Sequence, residues 1–217
     1  MRDPSRDDQQ RRVPRSAVSA AIAFLVVDAV AVAACLSGLF TSSSYRPFVE
    51  IENTYRCLMA AELFFVAFLW PLWGRSGAVS VPVLGLLLAV SVPLVVISAY
   101  VADVTGAVLV RTHLLLIAVS AAAVAATRLI GRTRPEHIQY YYAIAAVLCG
   151  GLPLLQFLLL DLTGKGAPWL SFFSPFWAME LAQRDTADAA RTYWAPTVLV
   201  FAGIAALMGA LAKRRKA

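Results

Sequence analysis

The sequence predicts an all-α, polytopic membrane protein: six transmembrane helices, both ends on the cytoplasmic side, and a helical hairpin, re-entrant or interfacial, before the last span. Three observations lead there. First, 60% of the 217 residues are apolar and only 15% are charged, with a mean hydropathy of +0.71. A soluble domain carries about 25% charged and about 45–50% apolar residues, so one water-facing globule cannot hide this excess. Second, the apolar residues gather in six runs that match the roughly 20 residues needed to cross a hydrocarbon core. Third, the basic residues cluster at the two ends of the chain. A water-soluble enzyme, a disordered chain and a fibrous chain are excluded by the same composition.

Span 1 is expected near Ala17–Phe40 and span 2 near Cys57–Trp73. Span 3 covers about Val81–Val101 and span 4 about Val110–Ile130. Span 5 lies near Ile138–Leu160 and span 6 near Tyr193–Ala212. Span 1 has the basic front of a secretory signal, but its apolar run is about twice a signal core and no small-x-small site closes it. A retained helix is the expectation. The chain then divides into a basic, amphipathic N-terminal segment (1–16), a transmembrane domain (17–212) and a basic tail (213–217).

The net charge of +6 is a topology signal. With the N-terminus inside, the N-tail, the Gly74–Ser80 turn, the Arg128–His137 loop and the C-tail hold 13 of the 19 Lys and Arg residues. Cytoplasmic segments carry such an excess, and basic flanks touch anionic headgroups. Lipid is therefore an expected partner and nucleic acid is not.

The stretch Asp161–Thr192 differs from the other connections. A polar break, DLTGKG, is followed by APWLSFFSPFWAMELA. Each apolar half is too short to span, and Pro175 splits them because the residue before a proline resists helical geometry. Two short helical pieces joined at Ser174–Pro175 would dip into the outer leaflet and return, which requires cover from protein or a water-filled cavity. The other arrangement is a flat interfacial helix anchored by Trp169, Phe172, Phe173, Phe176 and Trp177.

Two ionisable residues fall inside spans: Asp28 in span 1 and Glu62 in span 2. From the expected outer ends they lie roughly 18 Å and roughly 8 Å deep, at about 1.5 Å per residue. Each must be protonated, hydrated or paired, with Arg56, Arg111 and His113 as partners near the outer face. They read either as a substrate or proton path or as helix–helix hydrogen bonds between protonated acids. His113 and His137 sit at opposite faces, which argues against paired haem ligation or a histidine metal site. No GxSxG occurs, and DLTGKGA lacks the first glycine and the Ser/Thr of a phosphate loop, so no cofactor and no catalytic site are expected. The cysteines Cys35, Cys57 and Cys149 have no CxxC spacing and read as small packing residues. Gly150-Gly151-Leu152-Pro153 predicts a kink. The run SAAAVAAT in span 4 predicts close helix approach, and Tyr140–Tyr142 read as an interfacial belt.

Pro168, Trp169, Leu170, Ser174, Pro175, Phe176, Glu180 and Arg184, followed by span 6 and the LAKRRKA tail, resemble a pattern in the permease subunit of type-2 ATP-binding-cassette transporters. The resemblance is to P-x-W-L-x-x-L-(S/N)-P-hydrophobic-x-x-A-hydrophobic-E-hydrophobic-x-R, in similar order though not at identical spacing. That family has six spans with both ends inside, outer-leaflet re-entrant helices before the final span and an amphipathic helix before the first, a place Asp3–Ser16 can fill. The resemblance implies an exporter in a bacterial or archaeal cytoplasmic membrane, working with a separate cytoplasmic ATPase and a second copy of itself or a related permease. It makes Trp169, Ser174, Pro175, Phe176 and Glu180 an outer gate. Arg75, Arg132 and Arg134 become the ATPase contact, and Asp28 and Glu62 the residues lining or bracing the pathway. The family's longer connection between spans 2 and 3 is here only Gly74–Ser80, with Arg75 as its sole charge. A non-catalytic subunit anchoring a larger membrane assembly is the alternative.

Overall fold

The computed structural model describes residues 15–37, 53–74, 81–133, 135–183 and 194–214. All secondary structure among them is helical. Among the described residues six helices are long and apolar enough to cross a membrane, which makes this a multi-pass membrane protein. We label them α1 (Arg15–Ser37), α2 (Thr54–Phe64, continued by a π turn Phe65–Leu69 and a last turn Trp70–Gly74), α3 (Val81–Val101) and α4 (Gly106–Thr133). Then come α5 (Ile138–Ala146, a π turn Val147–Gly151, then Leu152–Thr163), the short α6 (Pro175–Ala182) and α7 (Trp194–Arg214).

The bundle is built around α2 and α4. Half of the most apolar stretch of each is buried, against 6% for α5 and 11% for α7. Outward faces are apolar: Leu86, Ile97 and Leu199 are 62%, 61% and 72% exposed. In water such faces would be a liability; in lipid they are solvated. Between α4 and α7 the approach is extensive, as the small-residue run predicts. Ala118, Ala122, Ala123 and Ala126 are buried there, and short side chains let two backbones come close without a hydrophobic drive. The hydroxyls of Thr112, Ser120 and Thr127 donate to carbonyls of their own helix, so none needs water.

Both π turns stand just ahead of a proline, and the chemistry explains why. A proline in a helix has no N–H for the carbonyl four residues earlier, and its ring crowds that carbonyl. For Pro71 the carbonyl is Ala67, inside the first π turn; for Pro153 it is Cys149, inside the second. Widening the helix by one residue relieves the crowding. The Gly150–Pro153 kink expected from the sequence is therefore realised as a π turn. At Ala67 the freed carbonyl accepts the Tyr141 hydroxyl from α5 at 2.8 Å. Tyr140 is exposed, but Tyr141 is no interfacial anchor: it reaches inward and braces α5 against α2.

Turns at the outer end are short. After α3, Val104 N–H donates to Ala99 at 2.9 Å across Asp103, the one non-glycine residue with positive φ among the described residues. After α5, Gly164 takes φ +65°, where a Cβ would be strained, and its N–H donates to Leu160. The chain then passes over Gln156, whose Oε1 accepts Ala167 N–H at 2.7 Å. A Cβ on Gly166 would come within 2.6 Å of the Gln156 amide nitrogen.

Removing the Tyr141 hydroxyl tests the brace. Tyr141→Phe is expected to cost about 0.6–1 kcal/mol in reversible unfolding from lipid–detergent micelles. In a Pro71→Ala background, where an N–H returns for Ala67, the same change is expected to cost less than half as much. Equal costs in both backgrounds would contradict the assignment.

Candidate functional site

Antiparallel packing of α1 on α2 sets the first part of the site. Phe24 and Phe65 meet edge to face with centroids 4.9 Å apart. About one turn further out on each helix lie Asp28 and Glu62, only 3% and 1% exposed and within electrostatic reach of one another. Further out again, the Cys35 thiol meets Cys57, with Thr54 beside it. These three levels define one register. The unequal depths expected from the sequence are corrected by that register: Asp28 and Glu62 each stand about one turn beyond the Phe24–Phe65 contact, and α2 starts at Thr54, three residues before Cys57.

Ser91 of α3 faces the Glu62 carboxyl, while its hydroxyl donates to Leu88 at 2.9 Å. Asp28 Oδ1 and Glu62 Oε1 are enclosed without a hydrogen-bond partner among the described residues, as are Thr54 Oγ1 and Arg111 Nη1. An enclosed oxygen left this way costs about 1–3 kcal/mol, so packing alone gives no reason for two of them together. None of the cations expected as partners forms an ion pair with either acid. Arg56 is exposed, and His113 Nδ1–H donates to Leu109 at 2.7 Å. Nearby, Tyr55 and Thr112 share a buried hydrogen bond of 2.5 Å joining α2 to α4.

The second part is the hairpin. A 3-10 segment, Pro168–Phe173, runs into Ser174, whose extended backbone and side chain cap α6; Ser174 Oγ accepts Trp177 N–H at 3.3 Å. Pro175 takes the first helical position, where its missing N–H costs nothing. Ser174, Pro175, Ala178, Met179 and Ala182 are buried, because α6 packs against α2, α4, α7 and the π turn of α5. That turn is halfway along α5, so the Pro175 end reaches mid-span while Gln183 returns beside Asn53, at the start of α2. The segment is folded into the bundle, not laid flat on its surface. Trp169 is 58% exposed, Phe176 packs against the core and Glu180 is exposed.

Two cavities flank this hairpin. One of about 490 Å³ lies on the outer side, between Arg56, Cys57 and Ala60 of α2 and Phe176, Met179 and Glu180 of α6. A second, apolar and about 400 Å³, runs from Pro175 past Tyr141 to His137 at the other end of the bundle. No cluster of three or more metal-ligating side chains occurs among the described residues. Arg75, Arg134, Arg184 and the segments 1–14 and 215–217 lie outside the described residues, as does the side chain of Arg132.

The sequence reading missed three elements: the Tyr141–Ala67 brace, the Ser91 face of the acid site and the Cys35–Cys57 meeting. A proline four residues after a mid-span carbonyl was a usable signal for the first. No family model matches the chain, and neither a curated protein nor a solved structure matches it.

The α1–α2 register can be checked with native thiols. Copper-phenanthroline oxidation of the membrane-embedded protein is expected to join Cys35 to Cys57 within one chain, read as a loss of two hydrogens in the intact mass, and to leave Cys149 alkylatable. An oxidised pair containing Cys149 would contradict the register.

Proposed function

We propose that this chain is the membrane permease subunit of an ATP-driven exporter of the type-2 ATP-binding-cassette kind, in a bacterial or archaeal cytoplasmic membrane. Two copies pair, each with a separate cytoplasmic ATPase. The single observation that supports this reading most is the position of α6. A broken aromatic hairpin directly before the final span separates an outer cavity from an inner apolar one. Trp169, Ser174, Pro175, Phe176 and Glu180 are then the outer gate, with the Ser174 cap and Pro175 as its buried pivot. Asp28 and Glu62 brace α1 against α2 beside the pathway, where a change in their hydration or partners biases one conformation over another. Arg75, Arg132 and Arg134 are the proposed ATPase contact.

One observation favours a second reading. Between Gly74 and Val81 there is room for only six residues, a small surface on which to seat an ATPase. A non-catalytic subunit that anchors a larger membrane assembly has no need of one.

Purification from native membranes separates the two. The permease reading expects a tagged chain to bring down an ATPase with a phosphate loop, whose turnover rises when the permease is present. It also expects Asp28→Asn to fold normally and to change that stimulated turnover. Recovery of membrane subunits alone supports the anchoring role. Unchanged turnover in both Asp28→Asn and Glu62→Gln would reduce the acids to packing groups.

A further inference from the structure

A third cavity, outside the site above, lies between α3 on one side and α4 and α7 on the other. It exists because α3 packs on α2 and leans on α1 without a broad contact to α4 or α7. The result is a lateral groove of about 670 Å³. One face of each helix lines it, with Leu84, Leu88, Ile117, Ala121, Ala125 and Gly209 among the residues of its walls. Ser120 also lines it, but its hydroxyl is satisfied by the Leu116 carbonyl at 2.6 Å, so the walls offer no free polar group along their length.

At one end the chemistry changes. Among the described residues lining the groove, Arg128 is the one charged side chain. It is exposed and has neither an ion pair nor a side-chain hydrogen bond among those residues. Val81, the start of α3, and Ala212, two residues before Arg214, line the same end. This is the end that carries the basic C-tail, and so the cytoplasmic interface. From Ile117 to Arg128 the groove follows twelve residues of α4, about 16 Å of helix, or roughly half of a 30 Å hydrocarbon core.

We propose that this groove is a binding site for an anionic phospholipid of the cytoplasmic leaflet, with an acyl chain between α3 and α4/α7 and the headgroup phosphate on Arg128. Three features point to that occupant. An acyl chain needs apolar walls and no hydrogen-bond partner. A single leaflet sets the half-membrane length, whereas a helix from a second copy would need a full-length seat. A cation at the mouth with no ion pair or side-chain hydrogen bond among the described residues complements a phosphate, and basic pockets between transmembrane helices on this side hold anionic headgroups.

The test uses full-length protein in phosphatidylcholine micelles titrated with phosphatidylglycerol, reading the unfolding temperature and the phospholipid retained by native mass spectrometry. Wild type is expected to gain stability from phosphatidylglycerol and not from added phosphatidylcholine. Arg128→Gln is expected to weaken that response about fivefold, as for loss of one interfacial charge. Ala125→Leu, which fills the groove without removing the cation, is expected to abolish lipid retention, while Arg56→Gln at the opposite face leaves it intact. Retention of phosphatidylglycerol at wild-type levels in both Arg128→Gln and Ala125→Leu overturns the proposal. So does equal stabilisation by inorganic phosphate, or a change of oligomeric state in Ala125→Leu with lipid content unchanged.

Discussion

Inside a bilayer no water is available to a backbone carbonyl that loses its partner, and this protein places prolines within its spans. Pro71 leaves the Ala67 carbonyl without its usual donor, and Pro153 does the same to Cys149. The response at both places is a π turn, and at Ala67 a tyrosine from a different helix supplies the missing donor. The prolines thus fix where α2 widens and where α5 must stand to deliver Tyr141, and the two freed carbonyls belong to residues, Ala67 and Cys149, that line the same apolar cavity. Pro175 belongs to the same account. Placed at the first position of α6 behind a serine cap, it lets a helix begin at mid-membrane depth with no N–H at its first position and with the Trp177 and Ala178 N–H groups held by Ser174.

The hydroxyls of Tyr55, Thr112, Ser120 and Thr127 turn to their own helix or to each other, whereas Asp28 and Glu62, like Thr54 and Arg111, each keep an enclosed polar atom with no partner among the described residues. The two acids sit at matched depth because the Phe24–Phe65 contact fixes the register one turn away. The site is therefore a consequence of aromatic packing between α1 and α2, and neither acid pairs with an arginine among the described residues. Its closeness to the outer cavity follows from the same helix, since α2 supplies both Glu62 and Arg56.

Much of this was legible in the residues. Hydropathy located the six spans to within a few positions, and the position of Pro175 split the last outer segment where the structure splits it. Small residues in α4 announced a close contact, though not that α7 would be the partner. What stayed hidden depends on which residues face each other across helices. Nothing local to Tyr141 distinguishes it from Tyr140, because both are interfacial types in a row; only the freed carbonyl on α2 selects one. Depth counted from hydropathy likewise misplaced Glu62, since Thr54, Tyr55 and Arg56 are polar enough to read as loop yet complete the first turn of α2. The choice between a folded-in and a flat hairpin also lay beyond composition, because aromatic residues suit both; burial of Ser174, Ala178 and Ala182 decides it.

The hairpin enters the membrane-embedded bundle from one side, reaches mid-depth at Ser174–Pro175 and returns to the same side. The most direct measurement places single cysteines along it in a background lacking Cys35, Cys57 and Cys149, and labels intact cells with a membrane-impermeant maleimide. Lys165→Cys and Glu180→Cys are expected to label from outside, while Ser174→Cys stays unlabelled until the protein is unfolded. Labelling of Ser174→Cys as fast as Lys165→Cys, or of Lys165→Cys and Glu180→Cys from opposite sides, would contradict that path.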